Sequence, residues 1–169
     1  MDEKNSNQEN KFGSGLSKRG YSCVSVGKQR DNPADIYYKL YGDDDGKKHK
    51  VIFLSGMGTR GDMWENQTEE LVKRGCSVLV IDNRGSGQSS AISQHNLGRY
   101  TTKMLASDAF DVLNHLNWTQ NIHIVGLSMG GMVAQELALR EVDRFVSLTL
   151  VSTHAGGRMP QLGSFSGTF

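Results

Sequence analysis

The apolar positions of this chain follow two periods. Short runs that alternate or are unbroken read as strands: Tyr21 to Val26, Asp35 to Tyr41, Val51 to Leu54, Ser77 to Ile81, Ile122 to Val125 and Phe145 to Val151. Val51-Ile52-Phe53-Leu54 and Val78-Leu79-Val80-Ile81 are apolar throughout, the pattern of a strand covered on both faces. Three longer segments repeat their apolar residues at helical spacing: Trp64 to Arg74, Thr102 to Leu116, and Met129 to about Arg140. Gly75 suits the position just past the first of these helices. From residue 51 the order is β-α-β-α-β-α-β, which predicts an α/β fold, a mostly parallel sheet with helices on both faces. Right-handed crossovers are expected. The two leading strands can pair as an antiparallel edge.

Between and beyond these elements the chain is polar or rich in glycine. Residues 1–19 are dominated by Asn, Lys, Ser and Gly, which predicts a disordered N-terminal segment. Residues 156–169 form an irregular Gly-rich tail without helical or strand period. Gly42-Asp43-Asp44-Asp45-Gly46 is a turn, and its adjacent carboxylates lack the alternating spacing of a calcium loop.

The total of 169 residues is one domain's worth. With 19 basic and 18 acidic residues the net charge is +1, which offers no electrostatic footprint for nucleic acid. No apolar run approaches the ~18 residues of a membrane span. Met1 to Lys18 lacks the apolar centre of a secretory signal, so the expected location is cytoplasmic. Cys23 and Cys76 make neither a disulfide framework nor a metal site, and both are expected as small buried thiols. No metal and no cofactor is expected.

Candidate chemistry centres on Gly126-Leu127-Ser128-Met129-Gly130-Gly131. It follows the apolar run Ile122 to Val125 and opens the helix-like run from Met132. Strand, G-x-S-x-G and helix in that order is the context of a nucleophile elbow. Such a turn needs glycines where a side chain would clash and holds its serine exposed.

Three further segments accompany it: Phe53-Leu54-Ser55-Gly56-Met57-Gly58 after the first buried strand, Asp82-Asn83-Arg84-Gly85-Ser86-Gly87-Gln88-Ser89 after the second, and the helix around Ala106-Ser107-Asp108. In order and spacing these four segments resemble the α/β-hydrolase family, serine hydrolase branch, over roughly residues 20–155. The resemblance covers the N-terminal portion of the family fold only. It implies an incomplete α/β-hydrolase domain over residues 20–155, truncated after the strand that follows the nucleophile helix.

The resemblance implies Ser128 as catalytic nucleophile, Gly126 and Gly130 as elbow glycines, and the backbone N–H groups of Met57 and Met129 as the oxyanion hole. The two methionine side chains can line an apolar pocket at the same time. Where the family commonly has His-Gly this chain has Ser55-Gly56, and Ser55 can hydrogen-bond locally in its place. Asp82 and Arg84 are expected to shape their loop. Trp64 is expected to pack at a helix start. Serine at the elbow argues against the branches that use aspartate there, including the epoxide hydrolases.

The family's acid and histidine base follow the serine in the chain, and only 41 residues follow Ser128 here. His49 lies in a turn, and His115 and His123 lie at the edge away from the chemistry. Only His154, just past the last strand, falls at the correct edge, and it does not match the family's base. Glu136, Glu141 and Asp143 do not match the family's acid. Triad acid and base are therefore unassigned.

Two functions compete. One is a serine hydrolase acting on an ester or related acyl bond of a small-molecule substrate. The other is a non-catalytic truncated product. Val146, Leu148 and Leu150 would lie on an unpaired edge strand, which predicts self-association and a poorly soluble or partly molten chain.

Overall fold

The computed structural model describes residues 18–27, 33–42, 49–89 and 101–155. Most of the expected N-terminal segment, Asp43 to Asp45, His95 and the tail 156–169 lie outside the described residues. Six strands form one sheet: β1 (Lys18–Val26), β2 (Ala34–Tyr41), β3 (Lys50–Leu54), β4 (Ser77–Ile81), β5 (Ile122–Leu127) and β6 (Phe145–Val151). Three helices connect the parallel strands: α1 (Glu65–Lys73), α2 (Thr102–His115) and α3 (Met129–Ala138).

The strand order is β1-β2-β4-β3-β5-β6. β3 pairs in parallel with both β4 and β5, and β5 pairs in parallel with β6. β1 and β2 form the antiparallel edge, with β2 antiparallel to β4. Mostly parallel α/β architecture is thus what the alternation of periods predicted. β1 begins at Lys18, inside the stretch expected to be disordered. β5 reaches two residues further than its apolar run, because Gly126 and Leu127 still find partners in Leu150 and Val151. Trp64 belongs to a short 3-10 helix, Gly61–Trp64, that leads into α1.

Every residue of β3 and β4 is buried. Successive side chains of a strand point to opposite faces, and the two faces hold two separate cores. Ile52, Leu54, Leu79 and Ile81 pack with Leu105, Val112 and Leu113 of α2 and Val133 and Leu137 of α3. Val51, Phe53, Val78 and Val80 pack with Trp64 and with Leu71 and Val72 of α1. Helices therefore cover both faces.

Local signals set the helix ends. Thr101 caps α2, its hydroxyl accepting from the Met104 N–H at 3.1 Å. Past α1, Gly75 takes φ +85°. Its N–H donates to Val72 O at 2.9 Å, and that of Cys76 to Leu71 O at 3.0 Å. These two bonds satisfy carbonyls the helix leaves open.

The order has one functional consequence. After β3 the chain steps to β4 on one side, and it later returns to place β5 on the other side of β3. α1 and α3, which follow β3 and β5, consequently lie on opposite faces. Such a reversal opens a crevice at the strands' carboxyl ends, where ligands bind in open α/β sheets.

Two expectations on side-chain burial fail or hold in instructive ways. Cys23 is exposed and Cys76 only half-buried, so they are not two buried thiols. Cys23 sits on the edge strand β1 and points to the face opposite Val24 and Val26, which pack into the core under α2. β6 is the opposite edge: six of its seven residues are exposed, and Val146, Leu148 and Leu150 are among the large exposed apolar side chains. No helix among the described residues is long and apolar enough to cross a membrane.

Candidate active site

Ser128 stands between β5 and α3, at the carboxyl edge of the sheet. Its φ is 53° and its ψ −120°, a conformation that L-residues other than glycine rarely hold. It costs of order 1–3 kcal/mol and persists only when the surroundings impose it. Here they do so from four sides. The Ser128 N–H donates to Val151 O at 2.9 Å, and its carbonyl accepts from the N–H groups of Gly131 at 3.0 Å and Met132 at 3.3 Å. The Thr153 hydroxyl donates to the same carbonyl at 2.6 Å.

The flanking glycines have a steric cause. A Cβ on Gly126 would lie 2.4 Å from Gly130 O, and one on Gly130 would lie 2.1 Å from Leu54 O. Both obstacles are backbone, which cannot swing aside as a side chain can. α3 thereby crosses close over the ends of β3 and β5, and the Ser128 side chain is left exposed.

The loop after β3 meets the turn here. A Cβ on Gly56 would lie 3.5 Å from the Ser128 Cβ. The next residue is Met57, so its backbone belongs to the loop that touches the serine. Met129 is the first residue of α3, and first-turn N–H groups have no partner inside their own helix. The structure thus brings the Met57 loop, Ser128 and Met129 together. The expected apolar lining by Met57 does not form among the described residues, since its side chain is 80% exposed. Met129 is half-buried and packs on the α2–α3 core.

A layer of buried polar contacts supports this edge. Ser55 is fully buried, its hydroxyl accepting from Trp64 Nε1 at 3.1 Å and its carbonyl from Asn83 Nδ2 at 3.1 Å. Trp64 stacks on Phe53 at 4.5 Å between ring centroids, the packing role expected of it. Asp82 accepts from the N–H groups of Gly61 at 2.8 Å and Gln88 at 2.9 Å, which joins the loops after β3 and β4. Its own carbonyl accepts from the Ser89 hydroxyl at 2.6 Å. Arg84 and Asp108 form a buried two-point ion pair, Nε to Oδ2 and Nη2 to Oδ1, both at 2.6 Å. Asp82 and Arg84 are occupied in holding the loops, as expected.

Tyr37 adjoins this layer. Its N–H donates to the Ser89 hydroxyl at 2.9 Å, and its carbonyl accepts from the Asp82 N–H at 3.0 Å. Burial, then the carboxylates of Asp82 and Asp62, pushes its phenol up to about 12 from the ordinary 10.0.

Sequence reasoning did not find Thr153 or the pairing of Arg84 with Asp108. Thr153 lies past β6 and has no local motif. Arg84 and Asp108 each lay in a segment already singled out, but their contact spans 24 positions.

The histidines do not gather at Ser128. His115 ends α2 with its ring edge-on to Tyr38 at 6.0 Å. His49 and His123 face each other at the opposite edge of the sheet, Nδ1 to Nε2 at 2.9 Å. His154 lies past β6 at the correct edge and is exposed, its carbonyl accepting from Gln135 Nε2 at 3.0 Å. Glu141 bonds to Arg144 at 3.3 Å, beyond the far end of α3. Among the described residues no histidine or carboxylate hydrogen-bonds to the Ser128 hydroxyl.

A family model for the alpha/beta hydrolase fold matches residues 50–167. The chain belongs to the α/β-hydrolase family. It is 33% identical over 117 residues to a putative carbamate hydrolase, RutD, of Variovorax paradoxus, a match covering 69% of this chain and 42% of that protein. It is 34% identical over 105 residues to 3-oxoadipate enol-lactonase 1 of Acinetobacter baylyi, covering 62% of this chain and 37% of that one. Among solved structures, a thermophilic esterase from Thermogutta terrifontis superposes with a TM-score of 0.71 at 31% identity, over 82% of this chain and 48% of that chain. The chain spans less than half the length of these relatives.

Proposed function

We propose that Ser128 is the nucleophile of a serine hydrolase acting on an ester or related acyl bond of a small molecule. The observation that carries this reading is the backbone of Ser128: a serine held at φ 53° by four hydrogen bonds, with its own side chain exposed at the crevice. Strain of this kind is stored where the fold needs a particular side chain presented. The relatives add support, because a carbamate hydrolase, an enol-lactonase and an esterase all cleave a bond at an acyl carbon.

In the proposed reaction Ser128 Oγ attacks the substrate carbonyl carbon while its proton passes to a general base. The carbonyl oxygen gains the charge and is held by the N–H groups of Met57 and Met129. Collapse expels the alcohol or amine, which takes up the proton, and water then releases the acid from Ser128 by the same route. The base is a histidine held by a carboxylate, and both lie outside the described residues.

A fluorophosphonate probe and a chromogenic short-chain ester test this reading. The whole protein is expected to label and turn over, with both lost in Ser128→Ala. Labelling that persists in Ser128→Ala would overturn it. Residues 1–169 on their own are expected to turn over ester at a small fraction of that rate, since an oxyanion hole alone retains some catalysis. Complete absence of labelling in the whole, folded protein would favour the non-catalytic reading.

The exposed β6 supports a second proposal for residues 1–169 on their own. β6 has no charged residue and, among the described residues, no covering strand on its outer side, which is the condition for edge-to-edge pairing. We expect a second copy to pair there. Size-exclusion chromatography of wild type and Leu148→Lys tests it, and an unchanged monomer in both would refute it.

A further inference from the structure

The amino ends of β3, β5 and β6 carry a second cluster that the proposed hydrolysis does not use. His49 immediately precedes β3, His123 is the second residue of β5, and Ser147 is the third of β6. The β-ladder sets His123 opposite Ser147. His49 Nδ1 lies 2.9 Å from His123 Nε2, and His123 Nδ1 lies 2.8 Å from Ser147 Oγ. His123 lies five residues before Ser128 along β5, so the cluster sits roughly 17 Å from the serine at the ~3.4 Å rise of a strand.

Three features make this arrangement a ligand set. The bond to Ser147 occupies Nδ1 of His123 and fixes which nitrogen is left over, the way outer-shell partners orient metal-binding imidazoles. The other nitrogen, Nε2, shares a hydrogen bond with Nδ1 of His49 at 2.9 Å, and an ion binding there would take the place of the shared proton. That hydrogen-bond separation also suits two ligands at right angles on one ion, since bonds of ~2.05 Å give about 2.9 Å at 90°, whereas a tetrahedral angle needs about 3.3 Å. The adjacent cation, Lys50, is held away, its ammonium 5.8 Å from the Trp118 ring centroid in the core on the other face.

We propose that His49 and His123 form a surface site for a divalent ion of tetragonal preference, copper(II) above zinc, with Ser147 as the orienting residue. Imidazole suits copper and nickel, and right-angled nitrogen pairs favour them over tetrahedral zinc. Two imidazoles come from the protein, and water completes the coordination. The site is independent of the proposed catalytic serine.

Copper(II) added to the purified chain at one equivalent should give an electron paramagnetic resonance spectrum with hyperfine structure from two nitrogens. His49→Ala and His123→Ala should each weaken copper binding at least tenfold, and Ser147→Ala roughly tenfold. Zinc should compete poorly. Circular dichroism of each variant checks that it is folded. Copper binding unchanged in either histidine variant overturns the proposal, because it would place the ion at the amino terminus or at His95, His115 or His154. A spectrum showing one nitrogen also overturns it. Ser128→Ala should bind copper like wild type.

Discussion

At their carboxyl ends β3, β4 and β5 run into loops bonded to one another by buried groups. Asp82 ties the loop after β3 to the loop after β4, Arg84 reaches Asp108, and Leu54 O lies where a Cβ on Gly130 would sit. At their amino ends β3, β5 and β6 carry imidazoles and a hydroxyl joined to each other, with His49 and Ser147 exposed and His123 partly buried. β3 and β5 thus run between a region with no room for change and a region with more room. A strained serine can be maintained only at the first, because strain needs surroundings that over-determine it. A site that accepts an ion from solvent is better placed at the second, where ligands can adjust at little cost.

The difference can be broken most forcefully at Asp108. Asp108→Ala leaves the Arg84 guanidinium buried without its partner, and should cost about 3–5 kcal/mol of stability. Urea melts measure it, and a loss under 1 kcal/mol would show that the carboxyl-end layer is not cooperative. Gly126→Ala comes next. Its Cβ would meet Gly130 O at 2.4 Å, an overpacking expected to cost about 1–3 kcal/mol. His123→Ala, at the open end, should change metal-free stability by no more than about 0.5 kcal/mol. Equal losses in these two variants would erase the contrast.

Ser128→Gly should act in the other direction. Glycine accepts positive φ without strain, so the variant should gain about 1 kcal/mol while losing fluorophosphonate labelling. A destabilised Ser128→Gly would mean that the backbone there is relaxed.

The smallest effect concerns pH. Tyr37 ionises in the unfolded chain near the ordinary 10.0 and in the folded chain at about 12. Its contribution to stability is therefore complete below pH 10 and is lost as pH rises through 12. Tyr37→Phe should lose less stability than wild type between pH 8 and pH 11 in parallel urea melts. A matching loss would place the alkaline sensitivity elsewhere.

How much of this was legible beforehand depends on how far apart the cooperating residues lie. The elements were readable because β3, β4 and the helices carry unbroken or periodic apolar runs, and burial follows from those periods. The turn at Ser128 was readable because its glycines and serine are neighbours in the chain. Gly75 was readable for the same reason. Thr153 was not, because its partner is the carbonyl of a residue 25 positions earlier. The exposure of Cys23 was not readable either. An alternating strand looks the same at the edge of a sheet as beneath a helix, and only the strand order put β1 outside.

By itself the sequence determined an α/β fold with parallel central strands, the place of the nucleophile-like turn, and the four segments of the α/β-hydrolase family. Those are consequences of period and of close neighbours, which physics reads locally. Tertiary structure alone decided the reversal at β3 that sets the loops of Met57 and Ser128 side by side. It also decided the burial of Arg84 against Asp108 and the meeting of His49 with His123. Each of these joins residues at least 24 positions apart, and nothing local favours one such pairing over another until the sheet has chosen its order.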